Sequence, residues 1–291
     1  MGKLKIALSG ASGMLGRSLL ALGGVDWLPM PSSKELDISE RSGVHRWMTQ
    51  ARPDVVLHTA AMTAVDQCQL DVDLAYRVNR DGTQNIADAC SEIGARCLYV
   101  STDYVFNGTG AAPWRSESPT DPINVYGASK LAGEQAIRSL GDQGVIARVS
   151  WLFGPGGPSF LHVMARLGAT RRGTREPLKV VNDQFGAPTS TLVLAPALLA
   201  LATSRASGVL HIAPDGVTSW YDFALLIFET LGYSDVDVDP CSSDEFPRPA
   251  PRPRNSRLDT SSFTELGLFD MGNWASGVRD FVLKHREELR T

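Results

Sequence analysis

The sequence predicts an α/β fold, a Rossmann-type doubly wound parallel sheet followed by a smaller C-terminal region. Short apolar runs of strand length recur along the first 150 residues, and longer helical patterns separate them. A glycine-rich turn joins the first run to the first helix. Strands that alternate with helices in this way form parallel sheets. The predicted strands are Lys5–Ser9, Val55–His58, residues 97–101 and residues 145–149.

The helical patterns and the loops divide the chain near residue 150. Helices are predicted at 17–22, 44–50 and 74–92, between the strands. Beyond residue 150 the alternation is less regular, and helices are predicted at 160–168 and 273–289, with a loop rich in proline and arginine at 247–254. We therefore expect one domain over residues 1–150 and a second region over residues 151–291. Some segments of the second region are expected to return to the first domain.

The composition argues against several classes of protein. The longest apolar stretch, residues 192–202, contains Pro196 and is shorter than the roughly 20 residues that cross a bilayer. No signal peptide pattern precedes the first strand, so we expect a cytoplasmic protein without a membrane span. A net charge of −4 argues against a nucleic-acid surface. The four cysteines form no CxxC pair and no carboxylate cluster has a convincing spacing, so no metal site is predicted.

The glycine turn carries the first chemical argument. Gly10, Gly13 and Gly16 follow a strand and precede a helix, with the spacing GxxGxxG. Glycines there allow positive φ angles, and the N–H groups at the start of the helix can face a pyrophosphate. The domain over residues 1–150 is therefore expected to bind a dinucleotide. A purely structural turn is the alternative, because glycine collects in turns.

The end of the second strand bears on the choice of nicotinamide cofactor. An acidic residue at that point usually bonds the ribose hydroxyls and repels a 2′-phosphate. The stretch from Met30 to Lys34 has no acidic residue, and it offers Ser32 and Lys34, with Arg17 on the neighbouring helix. These residues favour NADPH. NADH and a plain polar loop are the alternatives.

Tyr126 and Lys130 form a candidate acid-base pair. Side chains four residues apart share one face of a helix. A phenol with a pKa of ~10 is a poor catalyst at neutral pH, but a nearby ammonium favours the phenolate and would bring its pKa closer to that pH. The same lysine can bond the nicotinamide ribose. We therefore expect Tyr126 to give a proton to a carbonyl oxygen.

Thr102 makes this pair more specific. It stands at the end of a predicted strand, between Ser101 and Asp103, and its hydroxyl can hold a substrate carbonyl against Tyr126. Thr102 and the glycine turn are both expected at the carboxyl edge of the sheet, where such folds bind ligands. The structural alternative for Thr102 is the N-cap of a helix or turn.

The sequence resembles the extended short-chain dehydrogenase/reductases and, among them, the dTDP-4-dehydrorhamnose reductase family. The order GxxGxxG, Ser-Thr-Asp and YxxxK carries the wider resemblance. Seven segments carry the closer one and extend it over nearly the whole chain. They are TAAMTAVD at 59–66, STDYVF at 101–106, VYGASKLAGE at 125–134, RVSW at 148–151, DQFGAPT at 183–189, SWYDFA at 219–224 and RPRNSRL at 252–258.

The resemblance implies an NAD(P)H-dependent oxidoreductase that reduces the C4 ketone of a dTDP-linked 6-deoxysugar, forming dTDP-L-rhamnose. Thr102, Tyr126 and Lys130 would be catalytic. The residues implied to touch cofactor are Gly10, Gly13, Met14, Leu15, Asp37, Ile38, Ala60 and Ala61. Residues 151–291 would be mainly a substrate-binding region.

The resemblance also implies a sugar pocket, lined by Thr63, Asp103, Tyr104 and Trp151. Trp151 suits the apolar face of a deoxysugar, although a core tryptophan is the alternative. Arg252 and Arg254 are interpreted as a diphosphate clamp, since guanidinium forks match phosphate oxygens.

Some residues depart from the family pattern and keep other functions open. His58 and Met62 stand where an asparagine and an aromatic or histidine residue are common, and Ser159 replaces a usual asparagine. His58 is interpreted as a strand-end residue bonded to backbone, without a catalytic role. The alternatives are a 4-ketoreductase for another nucleotide deoxysugar and a partner-binding module like the regulatory subunit of methionine adenosyltransferase. A sugar dehydratase is disfavoured, because Tyr104 and not a glutamate follows Asp103. A homodimer is compatible with the sequence, which does not determine the oligomeric state.

Overall fold

The computed structural model describes residues 3–174 and 176–290. Its strands, in chain order, are β1 (Lys5–Ser9), β2 (Asp26–Pro29), β3 (Val55–His58), β4 (Arg96–Thr102), β5 (Gly144–Val149), β6 (Leu152–Phe153), β7 (Leu178–Val181), β8 (Phe185–Gly186), β9 (Thr189–Ser190), β10 (Gly208–His211), β11 (Thr218–Ser219) and β12 (Val238–Cys241).

The helices lie between and after these strands. They are α1 (Met14–Leu20), α2 (Arg41–Ala51), α3 (Val65–Leu70), α4 (Val72–Tyr76), α5 (Gly82–Ile93), α6 (Val125–Arg138), α7 (Phe160–Arg171), α8 (Thr191–Thr203), α9 (Trp220–Leu231), α10 (Ser261–Thr264), α11 (Trp274–Lys284) and α12 (Arg286–Leu289). A π-helical turn, Arg77–Asp81, joins α4 to α5.

Six strands form one parallel sheet in the order β2-β1-β3-β4-β5-β10. The chain winds outward from the centre in both directions, and the direction reverses between β1 and β3. The predicted fold class is therefore confirmed, because a doubly wound parallel sheet has this order. The apolar runs become strands because β1, β3, β4 and β5 are buried on both faces.

The sequence placed the strands more accurately than the helices. β1 and β3 have the predicted bounds, and β4 and β5 extend the predicted strands by one or two residues. Helix α1 begins at Met14, three residues before the predicted start, because the helix follows directly on Gly13. The long helix predicted at 74–92 contains the π-helical turn and is not uniformly α-helical.

Two segments from the second half of the chain pack with the first half. β10 extends the sheet beside β5, pairing Gly208 with Val145 and His211 with Arg148. Helix α8, the apolar stretch around Pro196, buries Leu194, Leu198 and Leu201 in the same cluster as the strand residues Ile6 and Val145. An apolar helix without a polar face is stable here because it lies against the sheet and other helices.

A separate hydrophobic cluster lies in the second half of the chain. Phe153, Phe223, Phe228 and Phe281 are buried there, with side chains from α7, α9 and α11. This cluster supports the aromatic residues that face the cleft described below. Within the described ranges, no helix is long and apolar enough to cross a membrane.

Candidate active site

A cleft of about 850 Å³ opens at the carboxyl edge of the parallel sheet. The residues that end or follow its strands line the cleft: Ser9 and Gly10 at β1, Met30 at β2, Thr59 at β3, Thr102 at β4 and Val149 at β5. This edge, at the reversal between β1 and β3, is where open α/β sheets bind ligands. The volume lies near the upper end of the roughly 300–1,000 Å³ found for ligand pockets.

The glycine turn forms one wall of the cleft with its backbone. Gly10 has φ +73°, which an L side chain rarely adopts, and a Cβ there would lie 2.7 Å from the Ala60 nitrogen. A Cβ on Gly16 would overlap the Gly10 carbonyl oxygen. Gly13 caps α1 without a side chain, so the first N–H groups of the helix are left to the cleft. The turn therefore fits a pyrophosphate.

The loop after β2 lines the far end of the cleft, with Ser32, Ser33, Asp37 and Ile38 among its lining residues. Glu35 accepts hydrogen bonds from the Ser32 hydroxyl (2.8 Å) and the Ser32 N–H (3.1 Å), and these bonds lower the pKa of Glu35. Ser32 must exchange this bond in order to bind a phosphate. Lys34 does not line the cleft.

Arg17, the other predicted phosphate partner, is held beside the glycine turn. Its Nε donates to the Ser12 carbonyl at 3.0 Å, and it does not line the cleft.

Thr102, Tyr126 and Lys130 all line the cleft. The Thr102 hydroxyl donates to Asp103 Oδ1 (3.0 Å) and accepts from the Tyr104 N–H (3.2 Å), so it also caps the short 3-10 turn Asp103–Val105. Thr102 can therefore cap this turn and also line the cleft, so the N-cap interpretation is compatible with a role in holding the substrate carbonyl. The Lys130 ammonium donates to the Val100 carbonyl at 2.8 Å and lies 4.0 Å from the centre of the Tyr99 ring.

The pKa shifts of Tyr126 and Lys130 differ from the prediction. Burial raises the pKa of Tyr126 well above its usual range, and the hydrogen bond with Thr102 offsets this only in part. Burial also lowers the pKa of Lys130 to about 7, against the opposing effect of Glu134. The expectation that the lysine brings the phenol toward neutral pH is wrong for the protein alone, because burial dominates both groups. Tyr126 is thus a protonated phenol, which is the form that can donate a proton.

Helix α6 carries Tyr126 and Lys130, and its first turn is fixed by Asn124. The Asn124 side chain accepts from the Gly127 N–H at 2.8 Å and donates to the Pro251 carbonyl at 2.9 Å. Gly127 lies so close to the Tyr104 carbonyl oxygen that a Cβ would overlap it. The start of α6 is therefore held against the residues that follow Thr102.

A buried ion pair holds the middle of α6. Glu134 accepts from Arg148 Nε (2.8 Å) and Nη2 (2.7 Å) and from the Ser101 hydroxyl (2.7 Å). Glu134 and Arg148 are fully buried, and this bidentate geometry satisfies both. Ser101 precedes Thr102, so the pair ties the strand of Thr102 to the helix of Tyr126 and Lys130. The sequence reasoning gave no role to either residue, although Glu134 stands one turn after Lys130.

The four residues predicted for the sugar pocket, Thr63, Asp103, Tyr104 and Trp151, all line the cleft. Tyr104 packs edge-on against Tyr126, with ring centroids 5.8 Å apart. Burial raises the pKa of Asp103 to about 7, and hydrogen bonding from Ser256 and Thr102 opposes this in part. Oδ1 accepts from Thr102, while Oδ2 is buried with no hydrogen bond within 3.5 Å among the described residues and is free to accept one more donor.

Trp220 also lines the cleft, and the sequence reasoning missed it. Its ring stacks on Trp151, with centroids 3.6 Å apart and planes 10° from parallel. Trp151 has φ +47°, unusual for a bulky residue, and a Cβ on Gly186 would lie 2.6 Å from its ring. The signal was present in the motif SWYDFA, where a tryptophan begins helix α9 directly after a strand.

Arg252 and Arg254 lie outside the lining of the cleft. Arg252 forms an ion pair with Asp66, and Arg254 lies 3.9 Å from Asp183 and 3.7 Å from Asp244. Asp66 therefore occupies the Arg252 guanidinium, whereas the Arg254 side chain is largely exposed and only near its acidic neighbours. The diphosphate clamp stays a prediction, and Arg252 would have to leave Asp66 in order to bind a diphosphate.

A family model described as the RmlD substrate binding domain matches residues 4–287. This chain belongs to the dTDP-4-dehydrorhamnose reductase family. The dTDP-4-dehydrorhamnose reductase of Salmonella typhimurium is 37% identical over 294 residues, which cover 95% of this chain and 96% of that protein. The dTDP-4-keto-6-deoxy-D-glucose reductase of Streptomyces niveus is also 37% identical, over 97% of this chain and 98% of that protein.

A solved structure of the same family has the same fold. The Bacillus anthracis dTDP-4-dehydrorhamnose reductase, crystallised in complex with NADP, is 36% identical and covers 97% of this chain and 100% of its own, with a TM-score of 0.90. The family resemblance inferred from the motifs is confirmed. The relatives carry two different substrate names at the same identity, so the overall likeness does not select between those substrates.

Proposed function

We propose that this member of the family reduces the C4 ketone of a dTDP-linked 6-deoxysugar with NADPH, converting dTDP-4-dehydrorhamnose to dTDP-L-rhamnose. The observation that carries the proposal is the convergence of Thr102, Tyr126 and Lys130 on the cleft that the glycine turn lines. A proton donor, a hydroxyl and a cation then lie beside a dinucleotide site. Reductases at 37% identity over nearly the whole chain support the assignment.

The cleft fits a nicotinamide dinucleotide. Gly10, Gly13 and Gly16 would cradle the pyrophosphate, Ser32 and Asp37 the adenosine ribose, and Lys130 the nicotinamide ribose. The reduced nicotinamide supplies a hydride for the ketone carbon. The NADP bound to the Bacillus anthracis relative supports NADPH. The Glu35 carboxylate bonded to Ser32 favours NADH instead, because an acidic group there would repel a 2′-phosphate. The ratio of kcat/KM values with the two cofactors tests this choice.

Tyr126 would give its proton to the ketone oxygen as that oxygen gains negative charge. Its phenol stays protonated at neutral pH, because burial raises its pKa. The Thr102 hydroxyl would hold the same oxygen, and Asp103 Oδ2 a sugar hydroxyl. Trp151, stacked on Trp220, would cover the apolar face of the sugar ring.

The test is oxidation of NADPH in the presence of dTDP-4-dehydrorhamnose, followed by absorbance, with the product identified by mass spectrometry and NMR. We expect one dTDP-L-rhamnose formed for each NADPH oxidised. A folded protein that binds NADPH and leaves the sugar unchanged would refute the proposal and favour the partner-binding module.

A second candidate substrate is dTDP-4-keto-6-deoxy-D-glucose. The Streptomyces niveus reductase named for it is as similar to this chain as the Salmonella protein. Comparison of kcat/KM for the two ketosugars decides between them. The cytoplasmic location stays a prediction, and the oligomeric state stays open, with a homodimer compatible with the sequence.

A further inference from the structure

His58 ends β3, is fully buried and directly precedes Thr59, which lines the cleft. The predicted strand-end position is confirmed, but the predicted bonding to backbone is wrong, since both ring nitrogens face side-chain hydroxyls. Nδ1 lies 2.6 Å from the Ser9 hydroxyl oxygen, and Nε2 lies 3.0 Å from the Thr83 hydroxyl oxygen. A buried imidazole with two such bonds has a fixed orientation.

The neighbouring bonds favour one arrangement of protons in this network. With the Thr83 hydroxyl donating to the Asn79 carbonyl at 2.7 Å, Thr83 accepts from His58, and Nε2 carries the ring proton. Nδ1 is then an acceptor, and the Ser9 hydroxyl donates to it. The lone pairs of Ser9 are thereby left for other donors.

Both ends of the network reach one turn, residues 59–62, that follows β3. The Ser9 oxygen accepts from the Thr59 N–H (3.2 Å) and the Ala60 N–H (3.3 Å). On the other side, the Asn79 side chain accepts from the Met62 N–H (2.8 Å) and donates to the Met62 carbonyl (3.1 Å). His58 therefore connects the groups that hold the start and the end of the turn.

This turn forms part of the dinucleotide cleft. Its four residues line the cleft, and Gly10 lies so close that a Cβ there would be 2.7 Å from both the Ala60 nitrogen and Thr59 Oγ1. A shift of the turn would thus press on the glycine turn or withdraw from it. Small displacements of this kind weaken ligand binding although no direct contact is lost.

The imidazole is uncharged, which keeps these donor and acceptor roles constant. Burial lowers the pKa of His58 to about 3, and Lys130 lowers it further as a like charge. The ring stacks on Tyr99, with centroids 5.2 Å apart, and Lys130 lies over the same Tyr99 ring. A neutral ring fits this place because burial disfavours a charged imidazole and a protonated Lys130 would repel one.

We propose that His58 is a positioning residue for the nicotinamide dinucleotide, holding the 59–62 turn against the glycine turn through Ser9 and through Thr83 and Asn79. It touches neither cofactor nor substrate. The inference depends on one part of the proposed function, namely that a nicotinamide dinucleotide occupies the cleft. It does not depend on which sugar is reduced.

The test measures the dissociation constant of NADPH by calorimetry, together with Tm, for His58→Leu, His58→Asn and His285→Leu. We expect His58→Leu to raise the Kd about tenfold, since it leaves buried hydroxyls without partners. His58→Asn restores an acceptor for Ser9 and should stay within about threefold of wild type. His285 follows α11, is half-buried against Phe281 and does not line the cleft, so His285→Leu should leave the Kd unchanged.

Wild-type affinity in folded His58→Leu overturns the proposal, as does an equal loss in His285→Leu. Should His58→Leu fail to fold, Thr83→Val removes the other bond of His58 at a residue outside the cleft lining and should also raise the Kd, and an unchanged Kd then overturns the proposal. Binding of dTDP should be unaffected in each folded variant, which separates this role from general loosening. Wild-type protein that binds NADPH and reduces no sugar would refute the proposed function and leave this test intact.

Discussion

The two ends of the cleft are built in different ways. The predicted dinucleotide end is centred on one contiguous stretch, Gly10 to Gly16, which forms the glycine turn and the start of α1. The sugar end is assembled from side chains far apart in the chain, such as Thr63, Asp103, Trp151 and Trp220. A local motif thus specifies the cofactor, and packing between distant segments shapes the substrate site. Substitutions at the dinucleotide end should therefore change the NADPH dissociation constant, and substitutions at the sugar end should change the KM for the sugar.

The largest effect is expected where the two ends meet, at Tyr126. Tyr126→Phe removes the proton donor and should lower kcat about 10²-fold or more, within the range for general acid catalysis. The NADPH dissociation constant should change little, because the ring is retained. Steady-state kinetics and calorimetry on the same preparation check both. Turnover equal to wild type would remove Tyr126 from the mechanism.

Gly16→Ala probes the dinucleotide end alone. The added Cβ would overlap the Gly10 carbonyl oxygen, and overpacking of this kind costs about 2 kcal/mol, or roughly thirtyfold in NADPH affinity if the turn takes the whole strain. Gly23→Ala is the matched control, since no atom lies within 4 Å of its Cβ. The two Kd values decide the prediction, which fails if the substitutions behave alike.

Lys130 should make the stability of the cofactor-free protein depend on pH. Burial lowers its pKa from 10.5 to about 7 in the folded protein, so the unfolded chain binds the proton more tightly. Stability is therefore highest above the unfolded pKa and falls as pH decreases toward 7. Between pH 9 and 7 we expect a loss of about 2 kcal/mol from this group. Denaturant unfolding of wild type and Lys130→Met checks this, because the methionine variant should lack that part of the slope.

Trp220→Ala probes the sugar end and should have the smallest effect. Loss of an aromatic partner costs about 1 kcal/mol, so the KM for the sugar should rise about fivefold while NADPH affinity is retained. Circular dichroism should lose the exciton signal of the stacked pair with Trp151. Trp220→Phe should recover most of the KM. Trp47→Ala, away from the cleft, is the control, and an equal rise in its KM would contradict the role of Trp220.

Sequence reasoning succeeded where spacing along the chain decides the outcome. The strands β1 and β3, the glycine turn and the pair Tyr126 and Lys130 each follow from local pattern. Sequence reasoning failed where the surroundings of a side chain in the folded protein decide its pKa or its partners. The pKa of Lys130 depends on burial between β4 and α6, and the partners of Arg252 and Arg254 depend on acidic residues elsewhere in the chain.

By itself, the sequence determined the fold class, the position of the glycine turn and the identity of the candidate acid-base residues, because periodicity and motif spacing are properties of adjacent residues. Only the tertiary structure decided that Trp220 stacks on Trp151, that Glu134 and Arg148 tie Thr102 to α6, and that His58 bonds two hydroxyls. These contacts join residues separated by up to 69 positions, from Trp151 to Trp220. Their energies come from burial and from the satisfaction of polar groups, which exist only once the chain has packed.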